Sequence, residues 1–400
     1  MKSPSRLSLS LFAAALALPA FAQTAPAAKP YKILATTQIP AAGGIDYIAA
    51  DSVNRRVYSA SGSVVSVFDL DTYKQVGSLP NASGHGVALD PENHRGLVSG
   101  ANAVYFDTQT LQPISTVAAR GADGYLFDAF THHFYILTHG KPNLYIIDSK
   151  DGSLVTTVDG IGKDGASAAI EQGATDNQGH LYFDVESQNC IAVVDAKTFK
   201  VTAEYDLGEK GLGPAGLAID AKNHILFAMC RGAGGRGAPA GAAAGSGPTC
   251  VILSATDGKI ITTLPLAGGS DGAVFNPNTM EAISSSGGGN GTLSFIKENS
   301  PTDFVVEDTV TTKSGAKCCT LDTKTNNIIV HTLERAPAPA APAASAASAP
   351  MAASAAPAPA AASASASDAA GSAGRGGRRG GGGGRGNGGP QNLDVIFVGR

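Results

Sequence analysis

Apolar and polar residues alternate in short runs along most of the chain, and turn-forming residues separate these runs. The stretches "GHGVALDPENHRGLVSGANAVYFDTQTLQPISTV" and "ADGYLFDAFTHHFYILTHGKPNLYIIDSKDGSLVTTV" have the same layout. Each opens with small residues, continues with an apolar run that ends in Asp, and then contains three further strand-like runs separated by turns. The period of two and the spacing of the turns predict four β-strands in each unit.

Seven such units follow one another along the chain. They open at intervals of roughly 40 to 56 residues, near Gly44, Gly84, Ala122, Glu171, Pro214, Ser270 and Gly315. This period is typical of propeller repeats, in which four-stranded sheets are arranged radially around a central channel. The sequence therefore predicts an all-β fold, a seven-bladed β-propeller with four-stranded blades.

The composition agrees with this fold class. The 400 residues include 50 Gly, 22 Pro and no Trp, and only 16% are charged, which favours many short strands and turns over helices. The formal net charge of -4 is small for this length. It gives no overall field that would favour nucleic acid or a membrane surface.

The seventh unit is completed only when the two ends of the chain are considered together. The runs "AKCCTLD" and "NNIIVHTLE" supply its first two strands, and a third run, "LDVIFVGR", appears only after a long low-complexity stretch. The unassigned run "YKILATTQIP", residues 31–40, precedes the first full unit. We expect this run to form the outer strand of blade seven and so to close the ring, because an open array of strands would leave sheet edges exposed.

Residues 1–22 have the features of a signal peptide. Lys2 and Arg6 precede the apolar run "LSLSLFAAALAL", and "AFA" supplies the small residues of a cleavage site before Gln23. The apolar run is too short to span a bilayer, and Pro19 interrupts it. We therefore expect a periplasmic protein with a propeller domain at residues 31–400, without a transmembrane segment and monomeric.

Two insertions rich in Gly, Ala and Pro interrupt the units, at about residues 231–248 and 335–391, and we expect both to be disordered. Both follow the second strand of their unit, so both should lie over the same end of the channel. Together they contain six candidate polyanion-binding arginines: Arg231, Arg236, Arg375, Arg378, Arg379 and Arg385. Mixtures of Arg and Gly can bind nucleic acid, but neither insertion has an aromatic residue to stack on a base, which favours solvated loops.

The beginning of each first strand carries most of the chemical information. The position five residues before the Asp or Asn that ends each opening run is occupied, in chain order, by Asp46, His85, Asp123, Glu171, Ala215, Asp271 and Lys317. Because first strands line the channel of a propeller, we expect these residues to form a ring at one mouth. Six of the seven can ionise, so we consider this ring a candidate ligand-binding site.

The carboxylates of this ring are candidate metal ligands. Asp46, Asp123, Glu171 and Asp271 would suit a hard divalent cation such as Ca²⁺, whereas His85 is better suited to a transition metal. Lys317 would occupy part of the same space. The alternative is a wet channel mouth whose charges are solvated and paired with one another.

Five cysteines in an exported protein suggest disulfide pairing. Cys230 ends one strand of unit five and Cys250 begins the next, so we expect a disulfide between them across the insertion. Cys318 and Cys319 are adjacent on an inner strand and should face opposite ways. Free buried thiols are the favoured interpretation for this second pair, with a vicinal disulfide or a metal site as the alternatives.

The units resemble the YVTN-type repeats of YncE-like seven-bladed propellers. Strands such as "VYSAS" and "LYFDV" are followed by "VVSVFDLDTYKQVGSL" and "IAVVDAKTFKVTAEYDL", and by openings of the type "GPAGLAID". The resemblance covers residues 31–334 and the last strand. It implies an exported binding propeller, of a family in which some members are linked to nucleic acid. The Asn of the YVTN pattern is missing from "VYSAS" and "YILTH", so the resemblance transfers no site residue.

Three functions remain open at the level of sequence. The first is a non-enzymatic propeller that binds a ligand or partner through the channel mouth and its overhanging loops. The second is a metal-dependent hydrolase or lactonase with the four carboxylates as ligands and His85 as base, although the propeller lactonases it would resemble have six blades. The third is polyanion binding through the Arg and Gly loops. No serine nucleophile motif, dinucleotide loop or phosphate loop is present.

Overall fold

The computed structural model of the protein describes residues 29–234, 247–336 and 391–400. Within these residues, 28 β-strands form seven four-stranded antiparallel sheets. The first strands of neighbouring sheets contact one another around a closed ring, so the sheets are the seven blades of a β-propeller. The predicted fold class is confirmed. No helix in the described ranges has the length and apolar character needed to cross a membrane.

Blades one to three are formed, in chain order, by β2 (Ile45–Asp51), β3 (Arg56–Ser61), β4 (Val64–Asp69), β5 (Gln75–Pro80), β6 (Gly86–Asp90), β7 (Arg95–Ser99), β8 (Asn102–Asp107), β9 (Gln112–Ala118), β10 (Ala122–Asp128), β11 (His133–Thr138), β12 (Leu144–Asp148) and β13 (Leu154–Val158). Blades four to six are formed by β14 (Ile170–Thr175), β15 (His180–Val185), β16 (Cys190–Asp195), β17 (Val201–Asp206), β18 (Pro214–Asp220), β19 (Ile225–Cys230), β20 (Thr249–Ser254), β21 (Ile260–Pro265), β22 (Gly272–Asn276), β23 (Glu281–Ser286), β24 (Thr292–Ser300) and β25 (Asp303–Thr311). There are two 3₁₀ turns: Lys163–Gly165 lies between blades three and four, and Glu186–Gln188 lies between the second and third strands of blade four.

Blade seven joins the two ends of the described chain. Its strands, from the channel outward, are β26 (Lys317–Asp322), β27 (Asn327–Arg335), β28 (Gln391–Gly399) and β1 (Lys32–Pro40). Strand β28 pairs along its whole length with β27 on one side and with β1 on the other. The predicted closure of the ring by the N-terminal and C-terminal strands is therefore confirmed.

Two side chains at one end of this closing pair also bind blade six. The ring of Tyr31 stacks on Phe295 with 3.8 Å between centroids, and its hydroxyl donates a hydrogen bond of 2.6 Å to the buried carboxylate of Glu281. The guanidinium of Arg400 lies over the Tyr31 ring and donates to Glu281 at 2.5 Å. The terminal strands are thus fixed to the neighbouring blade as well as to blade seven.

The core consists of apolar layers between adjacent blades, because each sheet has a neighbour on both faces. One layer packs Leu144 and Ile146 of blade three against Phe183 and Ala192 of blade four. Another stacks Phe227 of blade five on Phe275 of blade six. This two-sided burial explains why the inner strands read as nearly continuous apolar runs.

The Asp residues that end the opening runs stabilise the turns that follow them. Buried Asp90 accepts the backbone N–H of Asn93 and the hydroxyl of Ser149 from blade three. His94, which completes the turn, has a positive φ of 55°. Short polar residues favour such turns because their side chains satisfy the free backbone donors. The Asp at the end of each opening run, which was used to count the units, therefore marks a turn, and in the case of Asp90 it also binds the neighbouring blade.

Candidate functional site

The six ionisable residues predicted to form a ring do lie at one mouth of the channel. They surround a cavity of about 280 Å³, together with two further charged or ionisable residues that the sequence analysis did not place there. We call these eight the mouth cluster: Asp46, His85, Asp123, His139, Glu171, Arg231, Asp271 and Lys317. The seventh predicted position, Ala215, is buried.

Irregular strand pairing orients several of these side chains. In β2, β10 and β14 the register with the second strand shifts next to Asp46, Asp123 and Glu171, respectively. Such bulges turn a side chain away from its regular direction and are common beside functional sites. The shifts occur at the same place in each blade, so they bring side chains from separate blades to the same end of the channel.

Asp46 lies between two cationic or ionisable partners. One carboxylate oxygen, Oδ1, accepts a hydrogen bond of 2.7 Å from Lys317 Nζ, and the other, Oδ2, lies 2.7 Å from His85 Nδ1. Burial alone would raise the pKa of Asp46, but the hydrogen bond to His85 and the ammonium of Lys317 lower it to about 2. Asp46 is therefore a carboxylate at neutral pH.

Asp123 lies between two histidines. Its Oδ1 is 3.4 Å from His85 Nδ1, and its Oδ2 is 3.4 Å from His139 Nε2. His139 Nε2 is also 3.6 Å from Glu171 Oε1. Burial raises the pKa of Asp123, and the nearby carboxylates Asp46 and Glu171 raise it further. Hydrogen bonding to carboxylates raises the pKa of both His85 and His139.

Arg231 completes the cluster on the other side. Its Nη2 donates to Asp271 Oδ1 at 2.7 Å, its Nη1 lies 3.3 Å from Glu171 Oε1, and Nη1 also donates to Glu186. Burial would lower the pKa of Arg231, but the surrounding carboxylates raise it. Arg231 was predicted to bind polyanions from a loop, whereas the structure engages it with three carboxylates of its own chain. The other five candidate arginines, Arg236, Arg375, Arg378, Arg379 and Arg385, lie outside the described residues.

His139 and the inward contacts of Arg231 were not predicted from the sequence, although a signal was present. Each follows directly on the second strand of its blade, as do Gly62 and Glu186. Gly62, His139 and Arg231 line the cavity, and Glu186 binds Arg231. The residue after the second strand is thus a second repeating position at this mouth, which the same counting would have found.

Two tyrosines lie below the cluster, and Tyr47 lines its cavity. Tyr47 and Tyr125 meet edge to face with 5.7 Å between centroids, and the Tyr47 hydroxyl donates to the backbone of Glu171 at 3.1 Å. Burial and the negative charge of Asp123 raise the pKa of Tyr47 well above its usual value, so its hydroxyl remains a donor. A second cavity of about 190 Å³ lies deeper in the channel and is lined by both tyrosines.

The adjacent cysteines line this deeper cavity. Cys318 occupies a bulge with a positive φ of 54°, and its sulfur lies 2.9 Å from the backbone oxygen of Asp271. The Cys319 sulfur also faces blade six, 3.9 Å from the oxygen of Gly272. The expectation that the two side chains face opposite ways was wrong, because the bulge between Lys317 and Cys319 breaks the strand alternation. Both are free, buried thiols.

The expected disulfide between Cys230 and Cys250 does not fit the observed register. Cys230 pairs with Thr249, and Cys250 pairs with Met229. The two sulfurs therefore lie on opposite faces of blade five, in the core layers shared with blades four and six, respectively. Both cysteines are free thiols in the structure, and burial raises the pKa of each.

One serine–histidine pair lies just behind the cluster. Ser59 Oγ is 2.7 Å from His331 Nδ1, and His331 Nε2 is 3.2 Å from the backbone oxygen of Asp46. Both side chains are completely buried, and burial lowers the pKa of His331 to about 4. The pair therefore holds the backbone of β2 in place and has no access to a substrate.

Two groups of side chains in the cluster have the donor types and spacing of metal ligands. They are Asp46 with His85 and Asp123, and Asp123 with His139 and Glu171. In each group the donor atoms all lie within 4.8 Å of one another. Of the four predicted carboxylate ligands, three belong to these groups, whereas Asp271 pairs with Arg231.

Comparisons with known proteins establish the fold alone. No protein-family model matches the chain, and no curated protein matches it. Among solved structures, a chain from "Crystal Structure of Mitotic Checkpoint Complex" superposes with a TM-score of 0.61 at 13% sequence identity. The match covers 78% of this chain and 94% of that chain. At this identity the similarity supports the propeller architecture and carries no information about the site.

Proposed function

We propose that this protein is an exported, non-enzymatic, YncE-like binding propeller whose channel mouth binds divalent cations. One observation carries the proposal: carboxylates and two histidines from separate blades meet at a single cavity of about 280 Å³. Export to the periplasm is inferred from the signal-peptide features of residues 1–22, and the YncE-like assignment from the repeat pattern. Both inferences rest on the sequence.

The balance of charge favours a cation over an anion. Five carboxylates, those of Asp46, Asp123, Glu171, Glu186 and Asp271, face two permanent cations, Lys317 and Arg231. Lys317 and Arg231 are both engaged by carboxylates, so neither is left to attract an anionic ligand. A divalent cation would relieve the repulsion among the carboxylates, whereas an anion would add to it.

The proposal predicts a saturable gain in stability when a divalent cation is added to chelator-treated protein. A ligand that binds only the folded state stabilises it by about 2.7 kcal/mol at 100 times its dissociation constant. The melting temperature should therefore rise with Mn²⁺ or Zn²⁺, and Asp123→Asn should reduce or abolish the rise. Asp303→Asn, which changes an exposed carboxylate far from the mouth, is the control and should respond like the parent. If no divalent cation changed the melting temperature of the parent protein, the proposal would be ruled out.

A metal-dependent hydrolase is the second candidate function. It is favoured by the two histidines that flank Asp123, since His and carboxylate ligands with an open coordination position are typical of hydrolytic metal sites. In this alternative His85 would be a ligand and not the base, because its Nδ1 already faces both Asp46 and Asp123. Hydrolysis of a lactone or ester that stops on chelation and returns with metal would favour this function over simple binding.

A further inference from the structure

We propose that the channel mouth binds two divalent transition-metal ions that share Asp123 as a bridging ligand. This inference rests on the proposed cation binding and specifies the number of ions, their positions and their chemical class. It is carried by the geometry around Asp123.

The donor atoms form two sets that meet at one carboxylate. The first set is Asp46 Oδ2, His85 Nδ1 and Asp123 Oδ1, with the His85 nitrogen 2.7 Å and 3.4 Å from the two oxygens. With metal–ligand bonds of about 2.0–2.2 Å, adjacent ligand atoms lie about 3 to 3.6 Å apart. The first set therefore needs only small side-chain adjustments to surround an ion.

The second set uses the other oxygen of the same carboxylate. Asp123 Oδ2 and Glu171 Oε1 lie 3.4 Å and 3.6 Å from His139 Nε2, distances that are compatible with three ligands of one ion. Because Oδ1 belongs to the first set and Oδ2 to the second, Asp123 is placed to bridge two ions. Paired metal ions in proteins lie about 3.5–4 Å apart, a separation that one carboxylate can span.

The permanent cations lie beside the two donor sets. Lys317 binds Asp46 through Oδ1, which leaves Oδ2 for the first ion. Arg231 contacts Asp271 and also Glu171 Oε1, so Glu171 would bind the second ion through an oxygen that it shares with Arg231. These two residues hold the outer carboxylates in place, as outer partners of metal ligands commonly do. Among the described residues, the ion-pair partners of Asp123 are the two histidines alone, and both belong to the donor sets.

The donor types select the class of metal. Each set has one imidazole nitrogen, which suits Fe²⁺, Ni²⁺ or Zn²⁺, and two carboxylates, which also suit Mn²⁺; Ca²⁺ and Mg²⁺ prefer ligand sets made of oxygen alone. The cavity, at about 280 Å³, has room for two ions and several water ligands. Ca²⁺, which the carboxylates alone suggested, is therefore the weaker candidate once His139 is included.

Metal stoichiometry tests this inference directly. The full chain without an affinity tag is stripped with a chelator and dialysed against Mn²⁺, and the bound metal is measured by mass spectrometry and electron paramagnetic resonance. We expect two Mn²⁺ per chain with an exchange-coupled spectrum. One Mn²⁺ per chain, or two without coupling, would overturn the bridged pair and leave the proposed cation binding standing. No bound Mn²⁺ and no bound Zn²⁺ would overturn both.

Matched variants separate the bridge from general charge effects. Asp123→Asn and Asp271→Asn each remove one negative charge from the same cluster, but only Asp123 belongs to the donor sets. Asp271→Asn should retain two ions, whereas Asp123→Asn should lose the coupled signal and bind one ion or none. His85→Ala and His139→Ala should each retain one ion, which tests the two sets even if Asp123→Asn does not fold. Equal metal loss in the Asp123 and Asp271 variants would contradict the inference.

Discussion

Glu298, far from the channel mouth, is a buried carboxylate with incomplete hydrogen bonding. Its side chain accepts a hydrogen bond of 2.7 Å from Asn223 through Oε1, while Oε2 has no hydrogen-bond partner among the described residues. Burial raises the pKa of Glu298 from 4.5 to about 6, and the charge of Asp220 contributes in the same direction. Glu298 is thus a site where the fold is under electrostatic strain at neutral pH.

This shift predicts a pH-dependent gain in stability from Glu298→Gln. Because the folded pKa lies above the unfolded value, the stabilisation from protonated Glu298 is complete below pH 4.5 and is lost as the pH rises through 6. A shift of this size corresponds to at most about 2 kcal/mol. The variant keeps the Oε1 acceptor, so it should melt at a higher temperature than the parent at pH 8 and show little difference at pH 4.

Thermal melts at the two pH values measure this effect. Glu92→Gln, which neutralises an exposed carboxylate, provides the control and should follow the parent at both pH values. If Glu298→Gln and the parent had the same melting temperature at pH 8, the assigned pKa shift would be wrong.

At the scale of single residues, the sequence predicts where a side chain lies better than it predicts which other side chains pair with it. Asp46, Asp123 and Glu171 could be found because a fixed number of residues separates each from the Asp at the end of its opening run. Which of the residues at the mouth pair with one another could not be found in this way, because ion pairs depend on how neighbouring blades are rotated around the channel. Arg231 illustrates the limit, since its loop is basic in sequence while its side chain turns inward to carboxylates.

At the scale of strands, blade five shows how one residue of register changes the chemistry. The expected disulfide required Cys230 and Cys250 to lie opposite each other, but Cys230 lies opposite Thr249 and Cys250 lies opposite Met229. Moving one position along a strand exchanges its two faces. Strand existence was therefore predictable from the alternation, whereas register across the insertion was not.

The observed register predicts which position can be joined to Cys230. Thr249 lies directly opposite it, and opposed residues in antiparallel strands have β-carbons about 4.5–5.5 Å apart, close enough for a disulfide with slight adjustment. Thr249→Cys should therefore form a disulfide with Cys230 on mild oxidation. Closing a loop of this length stabilises a protein by roughly 3 kcal/mol in the chain-entropy model.

Peptide mapping without reductant identifies the bond. The variant should yield the peptides containing positions 230 and 249 joined together. The parent treated with the same oxidant should yield the peptides containing Cys230 and Cys250 as separate peptides with free thiols. A bond between Cys230 and Cys250 in the parent would show that the register is wrong.

At the scale of the whole molecule, stability depends on β28, the strand that lies between β27 and β1 in blade seven. Strand β28 contributes Val395, Ile396, Phe397 and Val398 to the core, all completely buried. It is also the only strand that β1 pairs with among the described residues. Removing it would leave β27 and β1 as exposed edges and open the ring.

Deletion of residues 392–400 should therefore abolish cooperative thermal unfolding or lower the melting temperature sharply. The matched control is a deletion of residues 340–389, which removes more of the chain but no described strand. Since Arg335 and Gln391 lie opposite each other, a short connection suffices to join β27 to β28. Calorimetry should show a near-parental transition for the control. A chain lacking residues 392–400 that melts like the parent would contradict the role given to β28.

The architecture at this scale was the most predictable feature, for a physical reason. Seven repeats with a common pattern reinforce one another, so an error in one unit does not change the count. Closure was predictable as well, because the run at residues 31–40 and the last ten residues were each strand-like and had no partner nearby in sequence. The direction of the Cys318 and Cys319 side chains was not predictable, because a single bulge interrupts the alternation of side chains along the strand.

The pairing of β1 with β28 also sets the order in which the protein can fold. Lys32, near the beginning of the chain, is paired with Gly399, near its end. During synthesis β1 remains unpaired until nearly every other strand has been made. Loop closure over such a separation in sequence is entropically costly. Until then Tyr31 and Arg400 do not cover the blade-six surface around Phe295 and Glu281. We therefore expect the meeting of the two chain ends to be the late, slow step of folding, and the interval before it to be the time when the chain is most prone to associate through its open edges.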